Sequence, residues 1–129
     1  MDGDTEILQD FLVESGEILE KLGEQLVELE ARPDDNALLN AVFRGFHTIK
    51  GGASFLALTT LVEVCHRAED VFNTLRQGAR KVDAALMDVV LQVLDSVNLM
   101  HEAVRQGEEP VAASPELLAR LDVLAKPAE

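Results

Sequence analysis

The sequence predicts an all-α fold, an up-down antiparallel four-helix bundle with a shorter fifth helix at the C-terminal end, and three observations carry that prediction. Tryptophan and tyrosine are absent, and the two-residue alternation of a half-buried strand is hard to find. Apolar side chains return instead at steps of three and four residues, the spacing that lines one face of an α-helix. The chain has 129 residues, 47% of them hydrophobic, and a chain of this size can bury roughly two-thirds of its unfolded surface in a single core.

The first helix is expected from Thr5 to about Ala31, with Ile7, Leu8, Phe11, Leu12, Ile18, Leu19, Leu22, Leu26 and Leu29 on its apolar side. Glu14, Glu17, Glu20, Glu24 and Glu28 occupy the other side. They read as a solvated face, with an acidic docking surface as the alternative. Pro33 then breaks the helix, and Asp34, Asp35 and Asn36 offer N-cap side chains, so a second helix should begin near Asn36. Its periodicity slips after Phe55. Thr60 followed by Glu63 forms a capping-box signature for a third helix to about Ala79, with Gly78 marking its end.

Asp83 can cap a fourth helix that turns Leu86, Val90, Val93, Val97, Met100 and Val104 inward and stops at Gly107. Residues 1–107 then form the bundle and 108–113 a short linker. Ser114, Pro115 and Glu116 read as N-cap, N1 proline and acidic first turn of an accessory helix over 114–125, with Leu117, Leu118, Leu121 and Leu124 as its apolar stripe. The ending Lys126 to Glu129 is expected to start a flexible tether.

A net charge of -13 and a pI near 4.5 argue against nucleic acid, whose backbone is bound by clustered lysine and arginine, and against anionic membrane surfaces. No apolar run approaches the roughly 20 residues of a membrane span, so no membrane insertion is expected. The first residues lack the basic and apolar regions of a signal peptide, and the single cysteine, Cys65, fits a reducing cytoplasm.

The chemistry concentrates in Phe43 to Leu58, FRGFHTIKGGASFLAL, where Gly51 and Gly52 interrupt a helical pattern beside His47. Two glycines inside a helix cost roughly 1 kcal/mol each relative to alanine, so a compensating use is expected. Clearance beside His47 is that use, with close helix packing as the alternative. At about 100° per residue from Val42, Phe46, Ile49 and Ala53 form the core stripe, while His47 lies near about 140° and Lys50 near about 80°. Counted from Leu61 in the third helix, His66 and Glu69 fall at about the same two offsets. The phasing therefore permits His47, Lys50, His66 and Glu69 to share one groove, and the handedness of the bundle decides whether they do. A histidine needs its tautomer fixed to act as a nucleophile, and Glu69 is the candidate acceptor for Nδ1–H, leaving Nε2 free. Lys50 can offer positive charge to a phosphoryl group.

HTIKGGAS, followed nineteen residues after His47 by His66 and then Glu69 in HRAE, resembles the histidine phosphotransfer domain of CheA-type chemotaxis kinases over nearly the whole chain. The resemblance implies that His47 accepts the γ-phosphoryl of ATP from a separate kinase domain and passes it to an aspartate of a response-regulator receiver domain. It further implies that Lys50 and His66 neighbour the phosphoryl group, that Glu69 orients the His47 ring, and that Gly51 gives the partner access. Ala57 departs from the pattern, standing where such sequences are expected to carry glycine between helices, so the turn there is expected to differ or to be mildly strained.

No glycine-rich phosphate loop or Mg²⁺-binding constellation is evident, so the expected cofactor complement of this domain is none. ATP and Mg²⁺ would come with the kinase domain, and Mg²⁺ again with the receiver. The domain is expected to be monomeric. The alternatives are a stand-alone relay protein, a metal site built from His47, His66, Glu69 and Cys65, and a bundle in which His47 has no chemical role.

Overall fold

The computed structural model describes residues 3–128 and contains five α-helices: α1 (Gly3–Ala31), α2 (Asn36–Phe55), α3 (Thr59–Arg76), α4 (Ala84–Arg105) and α5 (Pro115–Leu124). No strand occurs among the described residues. Short polar side chains start three of the helices. Asp35 accepts from the Leu38 amide, Asp83 from the Leu86 amide and Ser114 from the Leu117 amide, each satisfying a donor the first helical turn leaves free.

The four long helices form the up-down antiparallel bundle. α1 packs on α2 and α4, and α3 packs on the same two, while the diagonal pairs α1–α3 and α2–α4 do not bring their Cα atoms within 8 Å among the described residues. Leu22, Leu26, Leu29, Val42, Phe46, Ile49, Leu61, Phe72, Leu86, Val93 and Val97 fill the centre and are almost completely buried. Phe46 and Phe72 meet there with ring centroids 6.1 Å apart, joining α2 to α3. Two glycines let α2 close on α1: a Cβ at Gly45 would lie 2.9 Å from Leu22 Cδ2, and one at Gly52 would lie 2.6 Å from Phe11 Cδ1.

α5 lies against α3 and α4. Leu117 and Leu121 are buried in that contact, and Arg67 on α3 pairs with Asp122 at 3.0 Å.

Several expectations need correction. The third helix begins at Thr59 and has Leu58, not Thr60, at its N-cap, without a side-chain cap bond; the Thr60 hydroxyl is buried without a hydrogen-bond partner. The cause is the preceding turn. Ala57 adopts φ +60°, the Leu58 amide returns to Ala53 O at 2.8 Å and the Ala57 amide to Ser54 O at 3.1 Å, so α2 closes with a Schellman turn that delivers the chain directly into α3. α3 ends at Arg76, with Gly78 (φ +77°) just beyond it in the same type of turn. Ile7, counted among the apolar stripe, is 40% exposed. The chain is also still bound where a tether was expected. Arg80 donates to Lys126 O, and the Ala128 amide donates to Ala79 O at 2.8 Å; Glu129, like Met1 and Asp2, lies outside the described residues.

Candidate functional site

His47 stands in the middle of α2, one residue past the core stripe, because Phe46 and Ile49 on either side are drawn inward. Its side chain is 61% exposed. Across the α2–α3 interface Glu69 occupies the matching flank, and the two flanks converge: His47 Nδ1 lies 3.1 Å from Glu69 Oε1. Lys50, one turn along α2, places Nζ 3.2 Å from the same oxygen and 2.9 Å from Oε2.

Glu69 is the buried member of this trio, with its side chain only 11% exposed. Burial alone pushes its carboxyl pKa up. Hydrogen bonds from Lys50 and His47, with their charges, outweigh burial and hold it below the ordinary value of 4.5. An ionised carboxylate can only accept, so the proton between the two groups belongs to Nδ1 of the imidazole. Nε2 is then left with its lone pair on the solvent side of the ring. An imidazole held in this way, with its tautomer fixed from behind, can act chemically through Nε2.

The remaining expected residues are placed less uniformly. Gly51 is exposed, and a Cβ there would meet no atom within 4 Å, so one turn past His47 the surface is bare. Gly52 is different: its missing side chain makes room for Phe11, which is close packing rather than clearance. His66 lies one turn before Glu69 but directs Nε2 toward Asp70 Oδ2 at 3.6 Å, and is not part of the contact between His47, Lys50 and Glu69. Cys65 is buried in the core, where loss of solvent and the nearby Glu69 charge push its thiol up to about 12. Among the described residues no group of three histidine, cysteine or acidic side chains is arranged to hold a metal ion.

Phe43, which stacks on His47, and Arg76, which packs on Phe43, were not anticipated. Phe43, one turn earlier on α2, stacks its ring nearly parallel to the imidazole, 7° apart with centroids 6.1 Å apart. The Arg76 guanidinium from α3 sits 3.7 Å from the centre of the Phe43 ring. The spacing of four between Phe43 and His47 was the available signal for the first. Nothing in the sequence marks Arg76.

The sequence profile of the family described as Hpt domain matches residues 6–124. The chain belongs to the Hpt domain family. This Hpt domain is 46% identical over 105 residues to the sensor histidine kinase CheAY of Helicobacter pylori, a match covering 81% of this chain and 13% of that protein. It is 32% identical over 113 residues to the chemotaxis protein CheA of Bacillus subtilis, covering 88% of this chain and 17% of that protein. It therefore spans less than a fifth of either relative. Its fold is similar to the CheA phosphotransferase domain from Thermotoga maritima, with TM-score 0.75 and 30% identity, covering 80% of this chain and 98% of that one. It is also similar to a solution structure of the histidine phosphotransfer domain of CheA, with TM-score 0.77 and 29% identity, covering 93% and 86%. No described helix of the Hpt domain is long and apolar enough to cross a membrane.

Proposed function

We propose that His47 is the phosphoryl carrier of a CheA-type chemotaxis kinase, acting in the cytoplasm as a monomeric domain. Nε2 attacks the γ-phosphorus of ATP held by a separate kinase domain, a P–N bond forms, and the bond to the departing ADP breaks. An aspartate of a response-regulator receiver domain then attacks the same phosphorus, and the P–N bond breaks in turn. ATP and Mg²⁺ belong to the kinase domain and Mg²⁺ to the receiver, and the Hpt domain itself uses no cofactor.

The observation that carries this reading is the 3.1 Å contact between His47 Nδ1 and the Glu69 carboxylate, with the opposite side of the ring open to solvent. Glu69 holds the Nδ1 proton and offsets the positive charge that develops on the ring as Nε2 bonds to phosphorus. Lys50 keeps the carboxylate ionised and brings positive charge to the edge of the transferring phosphoryl group. His66, exposed on the adjoining helix, neighbours that group, and Gly51 leaves room for the partner to approach.

The test is phosphorylation by a CheA-type kinase domain with labelled ATP. Acid-labile, base-stable label on the wild-type domain and none on His47→Gln is the expected result. Label that persists in His47→Gln overturns the assignment.

A further inference from the structure

A single hydrogen bond does not fix an imidazole. Glu69 defines which nitrogen carries the proton, but hydrogen bonds tolerate wide angular variation, so the ring can still swing about the Nδ1···Oε1 line and carry Nε2 away from a bound phosphorus. A second constraint on the plane of the ring is needed for one geometry to dominate.

The structure supplies one. The Phe43 ring lies 7° from parallel with the His47 ring at a centroid separation of 6.1 Å, an offset stack formed by neighbours one helical turn apart. Phe43 is itself half-buried and held from α3, where Arg76 sits 3.7 Å from its ring centre. Arg76 is not free to wander: Nε donates to Asn73 Oδ1 at 3.0 Å and Nη1 to Asn40 Oδ1 at 3.2 Å. A planar guanidinium tied at two nitrogens, an aromatic ring beneath it and the imidazole beside that ring form a row that runs from α3 back to α2. Glu69 and this row constrain the imidazole in different ways, one at an edge nitrogen and one along its plane.

We propose that Phe43, held by Arg76, is a positioning residue that fixes the plane of the His47 imidazole for phosphoryl transfer. The proposal rests on the reading of His47 as the phosphoryl carrier. Phe43 takes no proton and touches no phosphoryl oxygen; it acts by raising the fraction of time in which Nε2 points outward along one direction. Loss of that restraint returns the ring to several staggered and rotated positions, which lowers the reactive fraction about threefold to tenfold.

The experiment uses phosphoramidate as the donor, so that partner docking does not enter. Nε2 attacks phosphorus, the P–N bond of the donor breaks, and ammonia leaves. Rates are compared for wild type, Phe43→Leu, Phe43→Tyr and Arg76→Gln, with circular dichroism to confirm folding and ¹⁵N spectra to report the His47 tautomer. The expected result is a threefold to tenfold loss in Phe43→Leu, recovery in Phe43→Tyr and an intermediate rate in Arg76→Gln, all with the Nδ1–H tautomer retained. A wild-type rate in Phe43→Leu, or a loss that Phe43→Tyr does not restore, overturns the proposal. If Phe43→Leu fails to fold, Arg76→Gln carries the test, and a wild-type rate there is equally fatal. Absence of label on the wild-type domain sinks the carrier reading and this proposal together, whereas label with no difference across the series sinks this proposal alone.

Discussion

Glu69 and His47 meet across two helices, and the buried partner is the acid. The carboxylate at 3.1 Å from Nδ1 is almost covered while the imidazole is mostly exposed, so the ring is held from the protein side and presented to solvent. Replacing Glu69 by glutamine removes the fixed negative charge and allows the ring its other tautomer. Transfer from kinase-bound ATP is expected to slow about tenfold to hundredfold, the range seen when a residue orienting a histidine is lost. The thermal midpoint should show a folded domain. An unchanged transfer rate would mean that the contact has no part in the reaction.

The same carboxylate gives stability a pH dependence. Its pKa is lower in the folded chain than the ordinary 4.5, so Glu69 contributes stability that is fully present above pH 4.5 and is lost as pH falls through the folded value. Urea unfolding of wild type and Glu69→Gln at a series of pH values should show a stability gap that is constant near neutrality and narrows in acid. A gap independent of pH down to full protonation would contradict the ionised pair.

Gly51 and Gly52 should respond differently to alanine. Gly51→Ala adds a methyl group in open space and gains helix propensity, so stability should rise by about 1 kcal/mol. Gly52→Ala drives its Cβ into Phe11, and overpacking of about 1–3 kcal/mol should cancel or exceed the same gain. Denaturant midpoints of the two variants decide it. A larger side chain at Gly51 should leave the fold intact while slowing transfer to a receiver domain.

Ala57 at φ +60° carries about 1–2 kcal/mol of backbone strain. Ala57→Gly relieves it but makes the unfolded chain more flexible, which offsets about 0.4–1 kcal/mol. The net expectation is stabilisation of about 0.5–1 kcal/mol in chemical denaturation, with no change in phosphorylation rate.

Cys65 is fully buried with its thiol pushed up to about 12, so the reactive thiolate is scarce and unreachable in the folded chain. Alkylation by iodoacetamide at neutral pH should proceed only as fast as the domain opens, and should accelerate sharply in urea. Rapid labelling under native conditions would show that the core around α3 is looser than its burial indicates.

The fold was legible because the apolar positions of Val42, Phe46, Ile49 and Ala53, or Leu86, Val90, Val93 and Val97, repeat with one period and their caps are local. All eight are buried. The site was half legible. Helical phase put His47 and Glu69 on comparable flanks, but the direction in which α3 turns against α2 is a property of the packed bundle, and only the three-dimensional structure brings the two together. The start of α3 was misread because Thr60 and Glu63 satisfy a local rule that the α2–α3 turn overrides. Phe43 was within reach, being one turn from His47; Arg76 was not, since its place over that ring depends on contacts made from another helix.

The notch at Gly45 has a mechanical meaning. Leu22 lies so close to its backbone that a Cβ at Gly45 would stand 2.9 Å from Leu22 Cδ2, so a roll of α2 about its own axis is expected to press on α1. With a side-chain radius of about 6 Å, a roll of about 10° would sweep the imidazole sideways by about 1 Å, a displacement that can weaken a catalytic geometry by about a hundredfold. On the reading of His47 as the phosphoryl carrier, a leucine on the acidic first helix is therefore expected to help set the aim of the imidazole. Substitutions at Leu22 should act as a misalignment of a lever arm, impairing transfer in proportion to the angle they introduce.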